Sequence, residues 1–258
     1  GIVTEATLKL APVPEHFSAV VAAFPTVQAA ANVVFGVMAS GLEPAALEFL
    51  DSAAITVLNQ EEGFDFVTAP HLLMEFHGTS EAAMQEELGQ VEELCRDDGC
   101  LDFRAGVGRD LRDQLWRGRH RHFESMLRTY PGYSYLLTDV AVPISHYPQL
   151  VVAAAAAMAA RAARGTMVGH AGDGNLHTLI FFPPDDALAR ARAAEVNDLL
   201  VATALALDGT STGEHGVGIG KQKYMLQEHG ENALNLMRQL KATLDPRGIL
   251  NPGKIIAL

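Results

Sequence analysis

Residues 166–182, TMVGHAGDGNLHTLIFF, place two apolar, β-branched runs back to back. The runs at 166–170 and 175–182 each have the length and composition of a strand, and no helix fits between them. Glycines at 169, 172 and 174 permit a tight connection with positive φ, so the pair predicts an antiparallel hairpin. Helices are few relative to the strand pairs near 166–182, which favours an antiparallel sheet over a doubly wound parallel one. On either side of this hairpin the chain alternates strands and helices. Pro148 can open an Ala-rich helix running to about Arg164, and a further helix spans about 186–206. Upstream, a strand is expected over 135–142 after the Pro131-Gly132 turn, a polar helix over 109–128, and a short strand through Phe103. Ser80 is a natural N-cap for a helix reaching Arg96, and 69–77 reads as a strand. Helices are expected around 15–24, 26–39 and 44–51, and a last one over 231–243. The expected fold is α+β, an antiparallel sheet covered by helices with a C-terminal helical tail. The strand–helix–strand order can occur twice, which fits a duplicated ferredoxin-like unit.

Charge and hydropathy narrow the function classes. The 258 residues carry 19 basic and 31 acidic side chains, a net charge of −12. That balance argues against nucleic acid and anionic membranes as partners, since both require clustered Lys and Arg. The longest apolar run, Leu150–Ala160, has 11 residues, well short of the roughly 20 that span a bilayer. Cys95 and Cys100 are the only cysteines, too few for a disulfide framework, so a reducing cytoplasm is the expected compartment.

Two segments can carry chemistry. His170 and His177 lie at the two ends of the hairpin connection, where a hairpin of this length can bring both imidazoles to one face. Converging neutral imidazoles are a common core of transition-metal sites. The plainer reading is a turn joining two strands with both histidines solvated or satisfied in the core. The second segment is Gly209–Gly220, GTSTGEHGVGIG, in which glycines surround the adjacent pair Glu214-His215. It lacks the spacing of a phosphate-binding loop, and by itself it reads equally as a surface loop. Together the segments offer two imidazoles and a carboxylate, the ligand set of many catalytic zinc or non-haem iron sites. His215 then remains as an unligated imidazole available as a general base. On the polar helix, Arg119 could clamp a carboxylate, although a solvated helix face is the commoner outcome.

HAGDGNLH, GEHGVG and LDPRGILNPGK resemble, in this order, motifs of the C-terminal substrate domain of FAD-linked 2-hydroxyacid dehydrogenases. This group within the vanillyl-alcohol-oxidase superfamily includes D-lactate, D-2-hydroxyglutarate and glycolate dehydrogenases. The resemblance implies that His170, His177 and Glu214 hold a divalent metal, with Zn favoured and Mn or Fe as alternatives. It implies His215 as the base, Arg119 and Asn175 beside the substrate, and Asn251 close to the flavin ring. It further divides the chain into residues 1–12 as the last strand of an absent FAD-binding domain, 13–220 as the substrate and metal domain, and 221–258 as a helical segment returning toward the flavin domain. The implied partners are a small 2-hydroxy acid, the FAD-binding domain of the same parent protein and an unassigned electron acceptor; a homodimer is compatible with this reading. Leu136-Leu137-Thr138 is apolar where the dicarboxylate-oxidising branch would carry a basic residue, which favours a monocarboxylate such as D-lactate or a longer 2-hydroxy acid. The competing readings are a non-catalytic hydroxy-acid-binding or regulatory module, and, behind it, a stand-alone metal hydrolase.

Overall fold

In the computed structural model, which describes residues 2–256, the chain builds one eight-stranded sheet. Its elements run β1 (His16–Ala23), α1 (Val27–Ala39), β2 (Ala46–Leu50), α2 (Ser52–Glu62), β3 (His71–Gly78), α3 (Glu81–Asp97), β4 (Asp102–Val107), α4 (Arg109–Thr129), β5 (Ser134–Leu137), β6 (Val140–Ala141), α5 (Tyr147–Ala160), β7 (Arg164–His170), β8 (Asn175–Phe182), α6 (Ala187–Ala206) and α7 (Met225–Leu244). The expected domain spans 1–12 and 221–258 include Gly1 and residues 257–258, which lie outside the described residues.

Strand order is β4-β1-β3-β2-β7-β8-β5, with β6 also pairing β8. Every strand pair is antiparallel. The first four strands, with α1 and α3, follow the ferredoxin-like order, α2 being inserted between β2 and β3. A second unit repeats it as β5/β6, α5, β7, β8 and α6, and the bridge between Ala141 and Thr210 stands where its last strand belongs. The duplicated unit expected from the sequence is therefore present, and its halves join edge to edge through β2 and β7.

Helices cover both faces. One core gathers Val33 and Val37 of α1, Leu88 and Val91 of α3, Leu150 and Val151 of α5, and Val196 and Leu200 of α6 against Phe49, Leu72 and Leu176 of the sheet. On the opposite face, Ile55 and Leu58 of α2 pack on Leu50, Leu73 and Val168, and Met126 of α4 packs on Leu179 and Phe181. Each fully buried aliphatic or aromatic side chain of this kind contributes roughly 1.5–3 kcal/mol. The predicted caps form: Ser80 Oγ accepts the Ala83 N–H at 3.2 Å, and a proline lies in the first turn of α5. Among the described residues no helix is long and apolar enough to cross a membrane. Cys95 and Cys100 are free thiols.

Two expectations are corrected. Residues 16–23 and 46–50 are strands, not helices. Nearly every residue of both segments is buried, so no alternation of polar and apolar side chains marks them as strands. The strand expected over 135–142 forms as β5 and β6 in one continuous register against β8, and between them the Thr138 N–H donates to the Thr178 carbonyl oxygen at 2.9 Å. Residues 2–14 pair with no strand among the described residues, and Ile2, Val3, Leu8, Leu10 and Val13 are 77–87% exposed.

Candidate functional site

The hairpin does what its glycines allow. Val168 pairs with His177 across β7 and β8, and a single 3₁₀ turn at Ala171–Asp173 closes the connection. Gly174 takes φ of 71°, and a Cβ there would lie 2.0 Å from the Val142 carbonyl oxygen, so only glycine fits. His170 and His177 thus project from the sheet face that carries α2 and α4, with their ring centroids 5.8 Å apart.

Glu214 completes the cluster. Its Oε1 lies 3.0 Å from His177 Nε2 and 3.4 Å from His170 Nε2. Ligands each about 2.0–2.1 Å from one tetrahedral cation stand about 3.4 Å apart, so the donor set and its spacing fit a divalent transition metal. His215 stacks on His177, with centroids 4.9 Å apart and planes within 5°. Its Nε2 is 3.6 Å from Glu214 Oε1.

Each candidate ligand imidazole is oriented through its other nitrogen. His170 Nδ1 lies 2.6 Å from Glu48 Oε1, and His177 Nδ1 lies 3.3 Å from the Thr138 carbonyl oxygen. With Nδ1–H donated to oxygen, both Nε2 lone pairs face Glu214. Burial lowers the pKa of His177 and keeps its imidazole neutral, the form that ligates. The hydrogen bond to Glu48 raises the pKa of His170, so protons compete there with a cation.

Glu48 is a residue of this candidate site that sequence reasoning missed. It is 4% exposed in the middle of β2, and its second oxygen accepts Arg119 Nε at 2.7 Å. Burial alone would raise its carboxyl pKa, but the His170 and Arg119 contacts outweigh that and hold it low. Arg119 is therefore anchored through Nε beside the cluster, in the wall of a cavity of about 280 Å³ that also contains His170, His177, Glu214 and His215. Phe123, Leu137, Val168 and Leu179 supply the apolar part of that wall.

Asp139 is the second residue the sequence reading left without a role. It is 1% exposed, and its carboxylate accepts the N–H groups of Glu214 at 3.0 Å and His215 at 2.9 Å. It also takes the Asn175 amide at 2.8 Å, the Thr212 hydroxyl at 3.2 Å and the Lys221 ammonium at 3.2 Å, and its Oδ1 lies 3.6 Å from His177 Nδ1. Burial pushes the Asp139 carboxyl upward, but the His215 N–H, Asn175 and Lys221 outweigh it and hold the group well below the usual carboxylate range. Asn175 is thus turned toward this carboxylate, with its amide also 3.3 Å from the Val140 carbonyl oxygen. Asn251 lies apart from this network among the described residues, exposed in the tail with φ of 48°. The tail itself reaches the loop, since the Ile255 N–H donates to the Gly218 carbonyl at 2.7 Å.

Comparison with known proteins agrees with this architecture. The chain is 40% identical over 258 residues to a probable mitochondrial D-lactate dehydrogenase of Danio rerio, matching 100% of this chain and 52% of that protein. It is 39% identical over 256 residues to the mitochondrial D-lactate dehydrogenase (cytochrome) of Arabidopsis thaliana, matching 99% and 45%. The chain thus spans about half the length of these curated relatives. Its fold is shared with 4-ethylphenol oxidase from Gulosibacter chungangensis, with a TM-score of 0.66 at 16% identity over 96% of this chain and 55% of that one. Residues 13–255 match the model of the FAD linked oxidases, C-terminal domain, and the chain belongs to that family.

Proposed function

We propose that this chain is the substrate and metal domain of an FAD-dependent dehydrogenase that oxidises a D-2-hydroxy acid with an apolar side chain, such as D-lactate, to the 2-oxo acid. The observation that carries the reading is the convergence of His170, His177 and Glu214 on one point, with His215 stacked beside them. A divalent cation held by these three groups supplies Lewis-acid polarisation of the substrate hydroxyl, and the FAD of the parent protein supplies the two-electron acceptor.

The chain's own residues bind, orient and take the proton. Arg119 offers its remaining guanidinium N–H groups to the substrate carboxylate, and its Nε bond to Glu48 fixes the direction of that fork. His215 Nε2 receives the hydroxyl proton, a step that contributes roughly 10²–10⁴-fold in such reactions. Leu137, Phe123, Val168 and Leu179 face the substrate side chain with no charge to meet a second carboxylate, which supports a monocarboxylate.

Elemental mass spectrometry of the purified chain tests the metal half of the reading. Wild type is expected to hold close to one equivalent of Zn, Mn or Fe, and His177→Ala to lose it. In the flavin-containing parent, His215→Ala is expected to keep the metal and lose dye reduction with D-lactate. A wild type that binds no metal under saturating conditions overturns the proposal.

A further inference from the structure

The loop that carries Glu214 and His215 contains glycines at 209, 213, 216, 218 and 220, a composition that favours disorder. It is nevertheless held at several points. Thr210 bridges Ala141 of β6 through backbone hydrogen bonds in both directions. Glu228 of α7 accepts the Thr210 hydroxyl at 2.5 Å and the Ser211 N–H at 3.1 Å. Asp139 accepts from Thr212, Glu214 and His215 at the centre of the loop. At the far end Lys221 Nζ donates to the Asp139 carbonyl at 2.6 Å and to its carboxylate at 3.2 Å. Gly213 passes so close that a Cβ there would lie 2.0 Å from Asn175 Nδ2 and 2.6 Å from Asp139 Oδ1.

From these contacts we infer that Asp139 is a positioning residue, a buried anionic clamp that folds the Glu214-His215 loop onto the two-histidine hairpin before any ligand arrives. A carboxylate suits this task, because its two acceptor oxygens take consecutive backbone N–H groups while Thr212, Asn175 and Lys221 also donate to them. Lys221 offsets its charge and ties the loop's exit to the same residue. The clamp binds the backbone on both sides of the Glu214 Cα, so it fixes where the side chains of Glu214 and His215 start. Metal affinity then depends on a residue that is itself no ligand. This last consequence rests on the metal reading above; the clamp itself does not.

The test uses the chain stripped of metal with a chelator, followed by Co²⁺ as the probe. In metal-free wild type, amide hydrogen exchange at Glu214 and His215 is expected to be slow. Asp139→Asn, which must turn an NH₂ group toward one of the clamped donors, is expected to speed that exchange at least 100-fold while the amides of β1 and β8 keep their protection. Co²⁺ affinity is expected to fall 10-fold or more, with a changed d–d spectrum as Glu214 leaves the coordination sphere. Gly213→Ala pushes the loop off the clamp without altering Asp139, and is expected to reproduce both effects even if Asp139→Asn does not fold. Exchange at Glu214 and His215 that is equally fast in wild type and Gly213→Ala, or equally slow in both, overturns the clamp. Wild type that binds no Co²⁺ while its exchange remains clamp-dependent overturns the metal reading alone.

Discussion

Replacing Glu48 by Gln separates two contributions that a single carboxylate makes. One oxygen orients His170 at 2.6 Å and the other anchors Arg119 at 2.7 Å, on a side chain only 5% exposed. Glutamine has one acceptor oxygen, so its NH₂ must face either Arg119 Nε–H, donor against donor, or His170 Nδ1. In the second case the imidazole has to accept at Nδ1 and carry its proton on Nε2, where it can no longer ligate. The Arg119 side chain, 17% exposed, also loses its charged partner. Removing one member of a buried ion pair costs about 3–5 kcal/mol. In a chain of this size each kcal/mol moves the melting temperature by roughly 2–4 °C, so a fall of roughly 10 °C is expected. Loss of an imidazole-orienting carboxylate costs about 10–100-fold in metal affinity. Thermal unfolding of the metal-free chain and a competitive metal titration read the two effects separately. A melting temperature that falls while metal affinity stays within about twofold of wild type would refute the orienting role and leave Glu48 as an anchor for Arg119.

Other expectations follow from individual groups. His122 is 3% exposed and its Nε2 has no hydrogen-bond partner; burial, with Arg119 nearby, pushes its pKa down to about 4. Because the unfolded histidine titrates near 6.5, its contribution is fully present above that pH and is lost as pH falls toward 4, by about 3 kcal/mol in all. Urea unfolding at pH 7 and pH 4.5 should therefore show a smaller acid loss in His122→Leu than in wild type, and equal losses would assign the effect elsewhere. Ala162, just after α5, takes φ of 47°, a left-handed conformation that costs an L-residue about 1–2 kcal/mol. Ala162→Gly should raise the melting temperature by about 2–4 °C after the entropy of the added glycine is offset.

How much of this was legible depends on what each segment buries. The 166–182 hairpin is readable because its glycines and its two short apolar runs have one economical solution. The histidines at its ends and Glu214 can be found by residue type, since few other roles gather those groups beside so many glycines. By contrast, β1 and β2 carry an apolar run with no period, and burial on both faces erases the alternation that separates strand from helix. Glu48 and Asp139 have a signal of a different kind: each is a lone acid inside an otherwise apolar stretch, LEFL and LLTDVAVP. A charge buried that way must be paired, but the partners Arg119, His170 and Lys221 lie 71–122 residues away in sequence, and sequence spacing cannot name them.

The position of the site follows from the duplication. The seam between the two ferredoxin-like halves is short: Glu48, Phe49 and Leu50 face His170, Gly169 and Val168. Asp51 extends it, its backbone N–H donating to the Met167 carbonyl at 2.9 Å and its carboxylate accepting the Met167 N–H at 2.9 Å. Glu48 belongs to the first half and His170 and His177 to the second, while Arg119 comes from α4, which connects them. Neither half alone contains an oriented His170, because its orienting carboxylate lies across the seam. This short junction is therefore where the sheet's two halves, the connecting helix and the clamped loop deliver side chains to one point. Pairing at β2 and β7 accordingly serves the site as much as the fold, and a change at the seam that spares every candidate ligand should still be felt at His170.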